Sequence, residues 1–120
     1  MITLLLVDDD ALVRETLRMR LSIEPDLVVL GEARDGQEAL DLAEVLHPDI
    51  VVMDVKMPGM NGIAAAERLR EMAPHVITVI CSNCKRSDIE AQAISAGAAA
   101  FVDKMAPVDH LLNVIRQVAS

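Results

Sequence analysis

The segment Ile50-Val51-Val52-Met53-Asp54-Val55-Lys56-Met57-Pro58-Gly59-Met60-Asn61-Gly62 carries instructions for a strand, a turn and a helix in close succession. Its first four residues are apolar at both parities, as in a strand covered on both faces; a strand open to water on one face would alternate apolar with polar. Asp54 ends the run. Met57-Pro58-Gly59-Met60 then reads as a turn that leaves the aspartate exposed at the strand's carboxyl end. Asn61 is suited to N-cap the helix that follows, because its side-chain oxygen can accept from the first helical N–H groups.

The same alternation extends in both directions. Apolar runs at 2–7, 27–30, 50–53, 76–81 and 98–102 predict five parallel strands, each buried on both faces. Between them lie segments whose apolar residues recur at three and four. In the last, Val108, Leu111, Leu112, Ile115 and Val118 form one stripe, so that helix docks on the sheet. Asp35 with Glu38 and Ser87 with Glu90 resemble capping boxes, Gly97 fits a helix stop, and Pro107 suits a first helical turn. Without repeats, low-complexity tracts or a Ser/Gly linker, residues 1–120 read as one domain. Five β-α units with right-handed crossovers imply an α/β fold with an open, doubly wound parallel sheet. The common strand order for five is the flavodoxin-like 2-1-3-4-5.

Composition narrows the function classes. Hydrophobic residues make up 52% of the chain, yet Phe101 is the only aromatic, so the interior is built from aliphatic side chains and seven methionines. That leaves no stacking platform for nucleic acid or sugar. A net charge of −8 repels phosphate backbones and anionic lipid, so this domain alone is expected to bind neither nucleic acid nor membrane. No basic leader region or apolar run of about 18 residues occurs, and the expected location is cytoplasmic. Cys81 and Cys84 are too few for a disulfide framework and lack the second pair of a structural zinc site.

In an open α/β sheet, ligands bind outside the carboxyl ends of the strands. The first run leads into Asp8-Asp9-Asp10, the third into Asp54, the fourth into Ser82-Asn83 and the fifth into Asp103-Lys104. The second ends in Gly31-Glu32-Ala33, as suits a sheet edge. Asp10 directly precedes a helix and reads as its N-cap. Strands one and three are neighbours in the expected order, so Asp8, Asp9 and Asp54 should crowd at one crevice. Two carboxylates about 4 Å apart repel by about 4 kcal/mol at an effective dielectric of about 20, which calls for a cation. A few carboxylates plus water describe a Mg²⁺ site better than a Ca²⁺ cage or a thiolate site. Lys104 would add a second positive charge.

Taken together, LLLVDDD, VVMDVKMPGMNG, ICSN and FVDK resemble the receiver domain of bacterial two-component response regulators over essentially the whole chain. The resemblance implies that Asp54 is a phosphoacceptor whose carboxylate takes a phosphoryl group from a histidine of a sensor kinase. It implies that Asp9 and Asp54 bind Mg²⁺ directly, that Asp8 does so through water or from one bond further out, and that the main-chain carbonyl of Lys56 completes the protein ligands. Lys104 would pair with the phosphoryl oxygens, Ser82 would hydrogen-bond one of them, and Phe101 would be the aromatic switch that follows the Ser82 hydroxyl. The protein's part is then to position groups and neutralise charge, as a signalling switch and not a turnover enzyme. Phosphorylation would change the face formed by helix four, strand five and helix five.

Lys104 is followed by Met105, where many receivers have Lys-Pro, with proline only at Pro107; that pattern, with Val-Arg-Glu-Thr-Leu at 13–17, is closer to the NarL/FixJ-type regulators. Such regulators usually carry a C-terminal helix-turn-helix domain, so the implied output is transcription through a DNA-binding domain outside these residues. The alternative is a single-domain receiver acting by protein–protein contact. A homodimer on phosphorylation stays open, the surfaces of helices one and five being mixed. Lys56 and Cys84 fall where the family tunes hydrolysis of the aspartyl phosphate, and Asn83 stands where a small residue is usual.

Rival readings fit less well. The C-x-x-C at 81–84 allows thioredoxin-like redox chemistry, but that motif belongs after an early strand at a helix N-terminus. A flavin mononucleotide carrier would need a phosphate-holding first loop, which Asp8-Asp9-Asp10 would repel. An aspartate-nucleophile phosphatase of the haloacid dehalogenase type needs an acid where this chain has Lys56. A pseudo-receiver that only binds partners is disfavoured because Asp9, Asp54, a hydroxyl and Lys104 are all present.

Overall fold

The computed structural model describes residues 1–83 and 87–120. In chain order the elements are β1 (Ile2–Val7), α1 (Ala11–Leu21), β2 (Leu27–Ala33), α2 (Gly36–Leu46), β3 (Ile50–Met53), α3 (Gly62–Met72), β4 (Ile77–Ser82), α4 (Ser87–Ser95), β5 (Ala100–Asp103) and α5 (Val108–Ala119). The strands form one parallel sheet in the order β2-β1-β3-β4-β5, as the alternation of apolar runs and helical segments implies.

Both faces of the sheet are covered, which explains why the central strands are apolar at both parities. Leu5, Val7, Val51, Met53 and Ile80 pack against α2, α3 and α4. Leu4, Leu6, Ile50, Val52, Val79 and Val102 face the other way, against Leu17 and Leu21 of α1 and Leu111, Leu112 and Ile115 of α5. Leu4, Leu5, Ile50 and Val51 are fully buried, and burial of each such side chain is worth about 1.5–3 kcal/mol.

Helix ends follow the local chemistry with some shifts. Asp10 caps α1, accepting from the Leu12 N–H at 2.9 Å. Asn61 caps α3 through the Ala64 N–H at 2.9 Å, and Asp35 caps α2 through the Glu38 N–H at 2.8 Å. Glu38 returns a carboxylate to the Arg34 N–H at 3.3 Å, so the box is displaced by one residue. Ser87 is the first residue of α4, not its cap, and the residue before it lies outside the described residues. Pro107 is the N-cap of α5, with ψ of 144°, one position before the first helical turn.

Two strands begin later than the apolar runs suggest because backbone pairing, not hydropathy, sets their ends. Val76 closes a turn onto the Ala73 carbonyl at 2.9 Å, so β4 starts at Ile77. Gly97 has φ of 111°, and Gly97 and Ala98 donate to Ile94 and Ala93, both at 3.0 Å. This pair of hydrogen bonds ends α4 and keeps Ala98 out of β5.

At β2 the strand is longer than the apolar run 27–30 and contains a bulge. Leu4 pairs with Val29 but Leu5 pairs with Gly31, leaving Leu30 as the extra residue. A bulge reverses which face the following side chains occupy. Leu27 and Val29 therefore pack on the α1 and α5 side, whereas Ala33 joins the opposite core. Glu32 is turned toward α1, where Arg14 and Arg18 meet it.

Candidate functional site

Because the sheet is parallel, its carboxyl ends share one edge, and the polar residues that follow β1, β3, β4 and β5 collect there. The Asp8 N–H continues the ladder to the Ala33 carbonyl and the Asp54 N–H to the Val7 carbonyl, both at 3.0 Å. Both carboxylates are thus held on strand backbone. Asp8 and Asp54 are buried, at 4% and 8% exposure, whereas Asp9 is exposed. One ligand oxygen from each of the three lies within 4.8 Å of the others.

Each buried carboxylate uses one oxygen on backbone and the other on Lys104. Asp8 Oδ1 accepts from the Asp10 N–H at 2.9 Å, and Asp54 Oδ1 accepts from the Val55 N–H at 2.7 Å. Lys104 Nζ bridges Asp8 Oδ2 at 2.5 Å and Asp54 Oδ2 at 2.9 Å. Burial disfavours the charged lysine, but hydrogen bonds and attraction from Asp8 and Asp54 outweigh it and hold the ammonium above the usual lysine range. The Lys104 N–H is itself fixed to the Ser82 carbonyl at 3.0 Å, across the β4–β5 pairing.

The loop after Asp54 folds tightly behind it. Gly59 adopts φ of 72°, the left-handed region in which a side chain is strained. Gly62 donates to the Val55 carbonyl at 2.8 Å, and an ideal Cβ on it would meet the Asp54 carbonyl oxygen at 2.0 Å. Lys56 is exposed and lines an open depression with Asp9, Val55, Met57 and Asn61. Ser82 is buried at the end of β4. Two residues back, Ile80 pairs with Phe101, so Ser82 and Phe101 share the face covered by α4. Phe101 is half-buried there.

Cys81 points to the opposite face and is buried. Burial pushes its thiol up to about 11, leaving it protonated and a poor nucleophile at neutral pH. Cys84 lies outside the described residues.

One contact at the site has no counterpart in the motif reading. Arg14 donates from Nη1 to the Asp8 main-chain carbonyl at 2.5 Å and from Nε to Glu32 Oε1 at 3.3 Å. A signal for it exists: helical side chains lean toward the helix N-terminus, so an arginine in the first turns after an acidic loop reaches back to that loop.

The donor set fits Mg²⁺. All three side chains offer carboxylate oxygen, the ligand of hard cations, and one of them is open to water. Lys104 meets only Asp8 and Asp54, so the formal charge of the three carboxylates exceeds that of the lysine by two, which a divalent ion would neutralise.

A family model described as the response regulator receiver domain matches residues 4–116. Response regulator GacA of Pseudomonas aeruginosa is 38% identical over 118 residues, covering 98% of this chain and 55% of that protein. The nitrate/nitrite response regulator protein NarL of Escherichia coli is 34% identical with the same coverage. The chain therefore spans about half the length of these curated relatives. Among solved structures, the signal receiver domain of the putative response regulator NarL from Mycobacterium tuberculosis superposes with a TM-score of 0.94 at 30% identity, covering 98% of this chain and 95% of that one. Among the described residues, no helix is long and apolar enough to cross a membrane.

Proposed function

The chain belongs to the response regulator receiver domain family, and on that premise we propose that residues 1–120 act as a phosphoacceptor switch modified at Asp54. Receiver domains of this family are signalling switches and not turnover enzymes in themselves. The observation that carries the reading is the bridge from Lys104 Nζ to Asp54 Oδ2 at 2.9 Å, with oxygens of Asp8 and Asp9 gathered beside it.

Asp54 Oδ2 is the attacking atom in this reading. The donor is a phosphohistidine on a sensor kinase: the P–N bond breaks, its electron pair returns to the imidazole, and a P–O bond forms to Asp54. Val55 holds the other carboxylate oxygen through its N–H at 2.7 Å and so orients the attack. Lys104 is already within reach of Asp54 and shifts its ion pair to the phosphoryl oxygens as they arrive. Asp9, Asp54 and the Lys56 carbonyl would hold Mg²⁺ in this reading, and Asp8 would act through water or through the direct ligands. When bound, the ion supplies neutralisation of the phosphoryl oxygens.

Ser82 then hydrogen-bonds a phosphoryl oxygen, and Phe101 moves into the space its hydroxyl leaves. Both lie on the α4 side, so the change is read at α4, β5 and α5. Transcription through a separate DNA-binding domain is the output we favour, in keeping with the greater length of the relatives. A sensor-kinase donor would act on this domain in the cytoplasm, the location this reading favours.

The test is incubation with acetyl phosphate, with Mg²⁺ or with EDTA, followed by intact-mass measurement. One added phosphoryl group in Mg²⁺ and none in EDTA supports the reading. No adduct in Mg²⁺ overturns it.

A further inference from the structure

We propose that Arg14 is a positioning residue for the metal-binding pair Asp8-Asp9, acting from behind through the main chain of Asp8. The inference rests on the phosphoacceptor reading above and adds to it a role for Arg14, which stands in the Val-Arg-Glu-Thr-Leu stretch at 13–17 but has no role in that reading.

Arg14 is the fourth residue of α1, one turn after the Asp10 cap, and its guanidinium turns back toward the loop that precedes the helix. Nη1 donates to the Asp8 carbonyl at 2.5 Å while Nε pairs with Glu32 at 3.3 Å. The side chain is only 18% exposed and lines the small cavity beneath the acidic cluster together with Asp8, Asp54 and Lys104. A planar guanidinium held at both ends has one available pose, whereas a lysine at this place would satisfy one partner at a time.

Three other restraints act on the same short loop: the Asp8 N–H to the Ala33 carbonyl, the Asp10 N–H to Asp8 Oδ1, and the Asp10 cap on α1. None of them fixes the Asp8 carbonyl. The peptide plane between Asp8 and Asp9 is therefore set by Arg14, and that plane decides where the exposed Asp9 carboxylate points relative to Asp8 and Asp54. The β2 bulge belongs to the same device, because it turns Glu32 toward α1 to seat the guanidinium. Arg18 pairs with the other Glu32 oxygen at 3.0 Å. In the structure Asp8's carbonyl is bonded by Arg14, and Arg18 serves as the matched control.

The experiment measures Mg²⁺ affinity of the full chain by titration calorimetry, alongside thermal melts, for wild type, Arg14→Ala, Arg14→Lys and Arg18→Ala. Losing a group that orients a metal ligand typically weakens affinity about 10- to 100-fold, and that loss is expected for Arg14→Ala. Arg14→Lys should fall between Arg14→Ala and wild type. Arg18→Ala should stay within about twofold of wild type, since Arg18 does not touch the Asp8 carbonyl and a partly exposed ion pair contributes little. At low Mg²⁺, phosphorylation of Arg14→Ala by acetyl phosphate should be slower than that of wild type, and raising Mg²⁺ should narrow the gap.

Unchanged affinity in both Arg14 variants overturns the inference. So does an equal loss in Arg18→Ala, which would mean a general loosening of α1. A wild-type chain with no measurable Mg²⁺ affinity would overturn the phosphoacceptor reading itself, a result distinct from either.

Discussion

Gly62 passes so close behind Asp54 that an ideal Cβ at that position would lie 2.0 Å from the Asp54 carbonyl oxygen. The neighbour is backbone and cannot swing aside, so Gly62→Ala must displace the very peptide that presents the carboxylate. We expect a loss of about 2–3 kcal/mol in urea unfolding, together with slower phosphorylation. Gly59 differs, with φ of 72° but open space around it, and Gly59→Ala should lose about 1–2 kcal/mol. A more stable Gly62→Ala than Gly59→Ala would contradict this account of the loop.

Asp9 contributes charge to a crowded cluster while remaining exposed. Like charges about 4 Å apart in a water-like dielectric repel by about 1 kcal/mol. Asp9→Asn should therefore melt higher than wild type in EDTA. Mg²⁺ should raise the wild-type melting temperature with the logarithm of its concentration and raise that of Asp9→Asn far less. Identical Mg²⁺ responses from the two proteins would show that Asp9 is not a ligand.

Arg116 clasps the α1–β2 connection, reaching Asp26 at 2.8 Å and Glu24 at 2.6 Å. Its hydrogen bonds hold both carboxyls below their usual values. A carboxyl lowered on folding adds stability above its unfolded value and loses it as pH falls through the folded value. Wild type should thus lose stability below about pH 4.5, and Arg116→Gln should show a shallower slope there. Urea midpoints from pH 6 to about pH 3 check this, and parallel slopes would contradict it.

Burial holds the Cys81 thiol at about 11. In a Cys84→Ser background at neutral pH, labelling by a disulfide reagent should be at least about a hundredfold slower in native protein than in urea. Equal rates would revive a redox role for that thiol.

Several features were legible in the sequence because they depend on local order. Both-parity apolar runs such as Ile50–Met53 announce strands covered on two faces, and the strand order then brings Asp8 and Asp54 together. Asp10, between an acidic pair and a helix, reads correctly as a cap. The β2 bulge was hidden, because Leu30 looks like any other strand residue until its pairing with β1 is known. Glu32 consequently looked like a sheet-edge charge when it faces α1. The seat of Arg14 was hidden for the same reason: its place early in α1 points it back at the Asp8 loop, but its second partner, Glu32, is set by register and not by spacing. Gly62 was quoted within a motif, but its reason, contact with the Asp54 peptide, needs three dimensions.

The most direct test of the central claim is to locate the phosphoryl group by peptide mass mapping after acetyl phosphate and Mg²⁺. The account predicts a single adduct on the peptide containing Asp54, absent from Asp54→Asn. An adduct on another peptide, or undiminished addition in Asp54→Asn, would contradict it.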